Sequence, residues 1–158
     1  MYHLEPKMIG VEEFCVAGLS VRTLNRDEFN SDTAKLPAFW EHYISSGQAE
    51  KTMNRVPDSP IYGVYSHYES DANGFYKVTA GVQVIQKENA PGINFIEIKK
   101  GNYLCFEATG PMPDALISTW GRIWDYFADN STYIRSYCTD YELYLGAEHV
   151  AVYIGVQD

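Results

Sequence analysis

Residues 136–145 read SYCTDYELYL, and their alternation and aromatic content mark a β-strand. Successive side chains on a strand point to opposite sides. One face therefore carries Tyr137, Thr139, Tyr141 and Leu143, and the other Cys138, Asp140, Glu142 and Tyr144. Glu142 shares its face with an acid and a phenol. A carboxylate in that company is either a solvated sheet residue, the common fate of glutamate, or the floor of a site for a cation. Burying its charge without a partner costs several kcal/mol, so the rest of the chain has to decide between the two.

Outward from this strand, the chain repeats one order of elements twice: strand, helix, strand, strand. In the first round, residues 14–24 form an apolar, β-branched strand in which Gly18 suggests a bulge. Residues 31–46 place Leu36, Phe39, Trp40 and Tyr43 at helical spacing, with Ser31 or Asp32 as N-cap, Pro37 in the first turn and Gly47 as the stop. A polar loop over 48–60 leads to strands over 61–69 and 75–85, joined by the turn sequence SDANG. In the second round, strand sequence over 95–109 precedes a helix over 111–130 with Leu116, Trp120, Ile123, Trp124 and Phe127 on one stripe. Strands over 134–145 and 149–156 close the chain.

The two rounds also agree locally: LPAFW (36–40) with LISTW (116–120), TAGV (79–82) with YIGV (153–156), and Tyr68-Glu69 with Tyr141-Glu142. The expectation is an α+β fold: a duplicated βαββ repeat, with antiparallel sheets, one long helix per repeat and pseudo-twofold symmetry. It forms a single domain over 1–158, with repeat one at about 12–86 and repeat two at about 95–157. Two helix-covered sheets joined about such an axis leave a concave junction, where ligand sites tend to form. Trp40 and Trp120 hold matching positions in the two repeats, whereas Trp124 reads as core. Within 61–69, alternation separates Tyr65 from Tyr62 and Tyr68.

Composition narrows the function. A formal charge of −9, from 21 acidic against 12 basic side chains, excludes a nucleic-acid surface, which needs a basic face, and suits a cationic partner. Thirteen Tyr, seven Phe and three Trp supply abundant rings, mostly amphipathic phenols. Cys15, Cys105 and Cys138 are widely spaced and lack CxxC spacing, which speaks against a disulfide framework or zinc site and for a reducing compartment. His3, His42, His67 and His149 show no ligating pattern, so neither metal nor cofactor is expected. No signal-peptide core or membrane-length apolar run is present, and the expected location is cytoplasmic. GxSxG, GxGxxG and Walker sequences are absent.

The runs GLSVRTLN (18–25), YGVYSHYESDANGFYKVTAGV (62–82), YLCFEATGPMP (103–113), TWGRIWDYF (119–127) and DYELYL (140–145), in that order, resemble the GyrI-like small-molecule-binding superfamily. It includes effector-binding domains of AraC-type and MerR-type multidrug regulators, and the likeness is greatest to the stand-alone type of integron gene cassettes. The resemblance implies a pocket for a small lipophilic, often cationic organic ligand. The glutamate of the motif that here reads DYELY matches Glu142, and Trp40, Tyr65, Trp120 and Tyr137 match aromatic wall positions. Gln83 stands where related sequences often carry an acid. No helix-turn-helix segment is present, which implies no direct nucleic-acid binding. The partner expected beside the ligand is a separate DNA-binding regulator, and the expected state is a monomer or weak homodimer. Two alternatives accompany this reading. One is a hydrolase of electrophilic natural products using Glu142 paired with Glu107, one carboxyl protonated by burial and the other ionised. The other is an inhibitor that docks on a larger protein. Glu69, beside the SDANG turn, reads as solvated.

Overall fold

The computed structural model describes residues 6–71, 73–129 and 132–157. The elements follow as β1 (Lys7–Val11), β2 (Phe14–Leu24), α1 (Asn25–Glu28), α2 (Leu36–Ser45), α3 (Gln48–Lys51), β3 (Ile61–Ser66), β4 (Phe75–Val84), β5 (Asn94–Ile98), β6 (Gly101–Thr109), α4 (Asp114–Asp129), β7 (Arg135–Gly146) and β8 (His149–Val156). The fold is α+β, and its eight strands make one antiparallel sheet in the order β1-β6-β8-β7-β3-β4-β2-β5. One continuous sheet therefore stands where two joined sheets were expected. The junction is the β3–β7 ladder, in which Gly63 pairs with Glu142 and Tyr65 with Asp140.

The sheet curls strongly. Strand β5 is one edge and β6 lies next to the other, yet only Lys99 and Lys100 connect them. Two residues reach no more than about 10 Å, so the end of β5 and the start of β6 are drawn together. The face they enclose is filled by Val16, Tyr62, Val64, Ile96, Ile98, Tyr103 and Tyr141, drawn from five strands. Tyr103 ties this face shut by donating to the Lys99 carbonyl at 2.6 Å.

Both longer helices lie on the opposite face. Helix α4 packs Leu116, Trp120 and Phe127 over Leu104, Phe106, Val152 and Ile154. Helix α2 sets Tyr43, Phe39 and Trp40 over Ala80 and Val82. Pro37 sits in the first turn of α2, and Gly47 follows it with φ 67°, the left-handed conformation that ends helices at low cost for glycine. The N-cap differs from expectation. Neither Ser31 nor Asp32 caps α2; instead the Glu28 carboxylate accepts the N–H groups of Lys35 and Leu36 at 3.0 and 3.1 Å. A carboxylate there satisfies orphan donors and complements the helix dipole.

Strand β1 and the one-turn helices α1 and α3 were not anticipated; α3 occupies the start of the expected 48–60 loop. Gly18 makes no bulge, because β2 and β4 pair in unbroken register from Cys15↔Val84 to Leu24↔Phe75. His3, Ala72 of the SDANG turn and Asn130, the expected end of the second helix, lie outside the described residues. No described helix is long and apolar enough to cross a membrane. Among the described residues, no group of three or more His, Cys, Asp or Glu gathers around a metal-sized site.

Candidate functional site

Between the two helices and the sheet centre lies a cavity of about 670 Å³. Its helix walls are Leu36, Trp40 and Ile44 from α2 and Leu116, Ile117, Trp120 and Trp124 from α4. The sheet contributes Ile61, Tyr65, Tyr76, Glu142 and Tyr144. Gly63 and Glu142 face each other across the β3–β7 ladder, so the middle of the sheet provides the floor.

Glu142 is 1 % exposed. Its Oε2 accepts Tyr65 Oη and Trp120 Nε1, both at 2.8 Å, and its Oε1 accepts Tyr144 Oη at 2.6 Å. Among the described residues no lysine, arginine or histidine pairs with it; the ion pairs present join Lys87 to Glu97, Lys100 to Glu12, Arg135 to Asp140 and His149 to Glu107. Burial pushes the Glu142 pKa up, and the three donors pull against it. Burial and the Glu142 charge hold the phenols of Tyr65 and Tyr144 well above the ordinary value, so both remain donors through the neutral range.

The other charges lining the cavity are committed elsewhere. Arg135 bonds Asp140 at 2.7 Å, and Asp140 also accepts the Gly155 N–H at 2.8 Å and the hydroxyl of Tyr68. Glu28 is held at the start of α2 and by the Thr23 hydroxyl at 2.6 Å. The cavity thus has rings for walls and one fully buried acid, Glu142, without a counterion among the described residues, an arrangement suited to a desolvated cation.

Of the residues singled out from sequence, Trp40, Tyr65, Trp120 and Glu142 line this cavity together. Tyr137 does not. It lies in the register shift of β7 between Arg135 and Asp140, with φ 54°, which carries its ring out of the regular alternation. That ring covers the Arg135 guanidinium at 4.3 Å and borders a separate hollow of about 410 Å³. Glu107 is also elsewhere. Its neighbour Phe106 points under α4, so alternation turns Glu107 away, where it is about half exposed and 3.9 Å from His149. Gln83 sits opposite Val16, on the face away from the cavity, so the departure at that position leaves the cavity unaltered. Glu69 is exposed.

Several lining residues were not foreseen. Tyr68 joins Tyr65 at the cavity because β3 ends at Ser66 and His67 adopts φ 52°. Trp124, read as core, instead lines the cavity, with its ring 6.2 Å from Trp120 and 5.7 Å from Phe29. Tyr144 carried a legible signal, since it lies two residues beyond Glu142 on one strand face. Gly63 leaves room for the floor: a Cβ there would stand 2.9 Å from Trp40 Cζ2 and 3.0 Å from Glu142 Oε1. Gly63→Ala is expected to displace both groups, lowering stability by about 1–3 kcal/mol and shifting tryptophan emission. Urea unfolding and the emission spectrum test this together.

A curved antiparallel sheet that carries an aromatic cavity beneath two helices defines a small α+β ligand-binding domain. Residues 4–154 match the GyrI-like small molecule binding domain, and the chain belongs to that family. The integron cassette protein VCH_CASS2 from the mobile metagenome of Vibrio cholerae is 34% identical, with 99% of this chain and 98% of that chain covered at a TM-score of 0.87. YobU of Bacillus subtilis (strain 168), named as a candidate transcriptional regulator, is 28% identical over 130 residues, 81% of this chain and 79% of YobU. The structure of SAV2435 bound to tetraphenylphosphonium shares the fold at 15% identity and a TM-score of 0.77, covering 98% of this chain and 94% of that chain.

Proposed function

We propose that this protein is a stand-alone receptor for lipophilic organic cations, which enter the aromatic cavity and are held by Glu142. The observation that carries the reading is a fully buried carboxylate with three neutral donors and no basic partner among the described residues. A relative of the same fold bound to tetraphenylphosphonium supports the ligand class. Leu36 and Trp40 line the cavity beside Leu116 and Trp120, which supports an internal duplication with both copies contributing to one site. The protein works in the cytoplasm, either sequestering its ligand or reporting it to a separate DNA-binding regulator. The hydrolase alternative lacks its pair of carboxylates, because Glu107 stands outside the cavity.

The test is a tryptophan-fluorescence titration with aromatic cations and their uncharged isosteres. Saturable micromolar binding that prefers the cation supports the receptor, and absence of binding overturns it. Protons should compete with the ligand. Burial raises the Glu142 pKa, so lowering the pH through that value neutralises the site. Affinity for a permanent cation should then fall by up to about tenfold per pH unit, while an uncharged isostere stays level. Tyr65 and Tyr144 do not titrate in this window. Folding stability runs the other way from binding. The folded, ligand-free state holds the Glu142 proton more tightly than the unfolded chain, so this group's contribution to stability declines as pH rises through the same window.

A further inference from the structure

The donors around Glu142 do more than hold it in place. An ionised carboxylate offers about four lone-pair positions. Two on Oε2 are taken by Tyr65 and Trp120, and one on Oε1 by Tyr144. The remaining side of Oε1 packs against Gly63, where the absence of a Cβ lets the oxygen and the Trp40 ring settle close to the main chain, and the residue is only 1 % exposed. The acid therefore borders the cavity while its oxygens are sheathed. The charge of Glu142 reaches the ligand space, but its own acceptor capacity does not.

Resting on the receptor reading, we infer that the cavity selects cations that carry no hydrogen-bond donor, quaternary or delocalised, and that Tyr144 is the residue that sets this selectivity. A protonated amine entering the cavity leaves water with up to three N–H groups. It cannot pair them with Glu142 unless it displaces a phenol or the indole; otherwise they are left to neutral phenol oxygens or unpaired, a poor exchange for water, because the Glu28 carboxylate is already taken by Thr23, Lys35 and Leu36. A quaternary ammonium or an N-alkylated heteroaromatic ring has no such demand. It needs only the field of the carboxylate and the ring faces of Tyr65, Trp40 and Trp120, which attract both kinds of cation alike. Tyr144 is the key donor because, among the described residues, it alone donates a side-chain hydrogen bond to Oε1, at 2.6 Å. Without its hydroxyl, that oxygen opens to a ligand N–H.

The experiment uses two probes of one skeleton and equal charge, biphenylmethyl-trimethylammonium and biphenylmethylammonium, titrated at neutral pH into wild type and Tyr144→Phe. Wild type should bind the quaternary probe about tenfold or more tightly than the primary one. In Tyr144→Phe that preference should shrink by about tenfold, through a gain for the primary ammonium. Any change in the protonation of Glu142 cancels in the ratio, because both probes carry one positive charge. Should Tyr144→Phe fail to fold, Tyr65→Phe, which frees a position on Oε2, reads the same ratio. A wild-type preference for the primary ammonium, or a ratio unchanged by the substitution, overturns the selectivity while leaving the receptor intact. Failure of both probes to bind wild type overturns the receptor reading and the selectivity with it.

Discussion

Glu142→Gln is expected to weaken an aromatic cation by about a hundredfold or more while moving its uncharged isostere by less than about threefold. Opposite charges about 5 Å apart at an effective dielectric constant near 20 attract by roughly 3 kcal/mol, and about 2.7 kcal/mol is a hundredfold. Glutamine keeps the volume and most of the polar shell. Its carbonyl can still accept Tyr65 and Trp120, and its amide can donate to the Tyr144 oxygen. The ring faces remain, so cation–π attraction of roughly 0.5–2 kcal/mol persists and the loss isolates the charge. The ligand-free variant should be at least as stable as wild type at neutral pH. The native carboxylate is buried with no counterion among the described residues, and burial has raised its pKa, so its ionised form opposes folding. Paired titrations and thermal unfolding check both claims. Equal losses for cation and isostere would remove the role given to the charge.

Most strands and both long helices were legible because their side chains follow periods that burial enforces, two on the sheet and near 3.6 on the helices. What periodicity does not encode is where it stops. Tyr65 and Tyr68 were separated by assuming a regular strand through residue 69, but β3 ends at Ser66 and His67 swings Tyr68 back to the cavity. Tyr137 failed in the opposite sense: the register shift in β7 moves it to another hollow. Alternation alone had already put Tyr137 and Glu142 on different faces, so the warning was in the sequence.

The helix stripe of α4 shows a second limit. Trp120 and Trp124 are four residues apart and share a face, but a stripe wide enough to cover a core is also wide enough to turn its edge toward a cavity. Ile123 is fully buried, whereas Trp124 lines the open space. Pattern says that both are apolar and adjacent; packing decides which meets ligand. Glu28 had no signal at all, since its role depends on three donors that the fold gathers from the end of β2 (Thr23) and the start of α2 (Lys35 and Leu36). The joining of β3 to β7 is a contact between the two halves of the chain, and side-chain periodicity within either half does not specify it.

The largest effect on stability is expected at a glycine far from Glu142. A Cβ on Gly18 would lie 1.8 Å from the Ala80 carbonyl oxygen and 2.7 Å from the Gly81 Cα. A Cβ on Gly81 would in turn lie 2.3 Å from the Ala17 carbonyl oxygen. Gly18 and Gly81 are cross-strand partners, so two backbones pinch together at the one pair where neither bears a side chain, and this close approach replaces the expected bulge. At Gly63 the obstacles are side chains, which can shift at moderate cost. Here the obstacle is main chain, and relief requires prising β2 from β4 while β2 also holds β5 through Gly18↔Asn94. Gly18→Ala should therefore cost about 3 kcal/mol or more, at or beyond the upper end for overpacking. The control is Gly10→Ala on β1, where nothing lies within 4 Å of the added atom, and its effect should stay within about 0.5 kcal/mol. Urea unfolding of both variants decides, and a Gly18→Ala variant within about 1 kcal/mol of wild type would contradict the close approach. The consequence reaches the cavity through β4, which carries Tyr76 in its wall and pairs with β3 beneath Tyr65. A main-chain contact on two glycines thus sets how firmly the aromatic wall beside Glu142 is held.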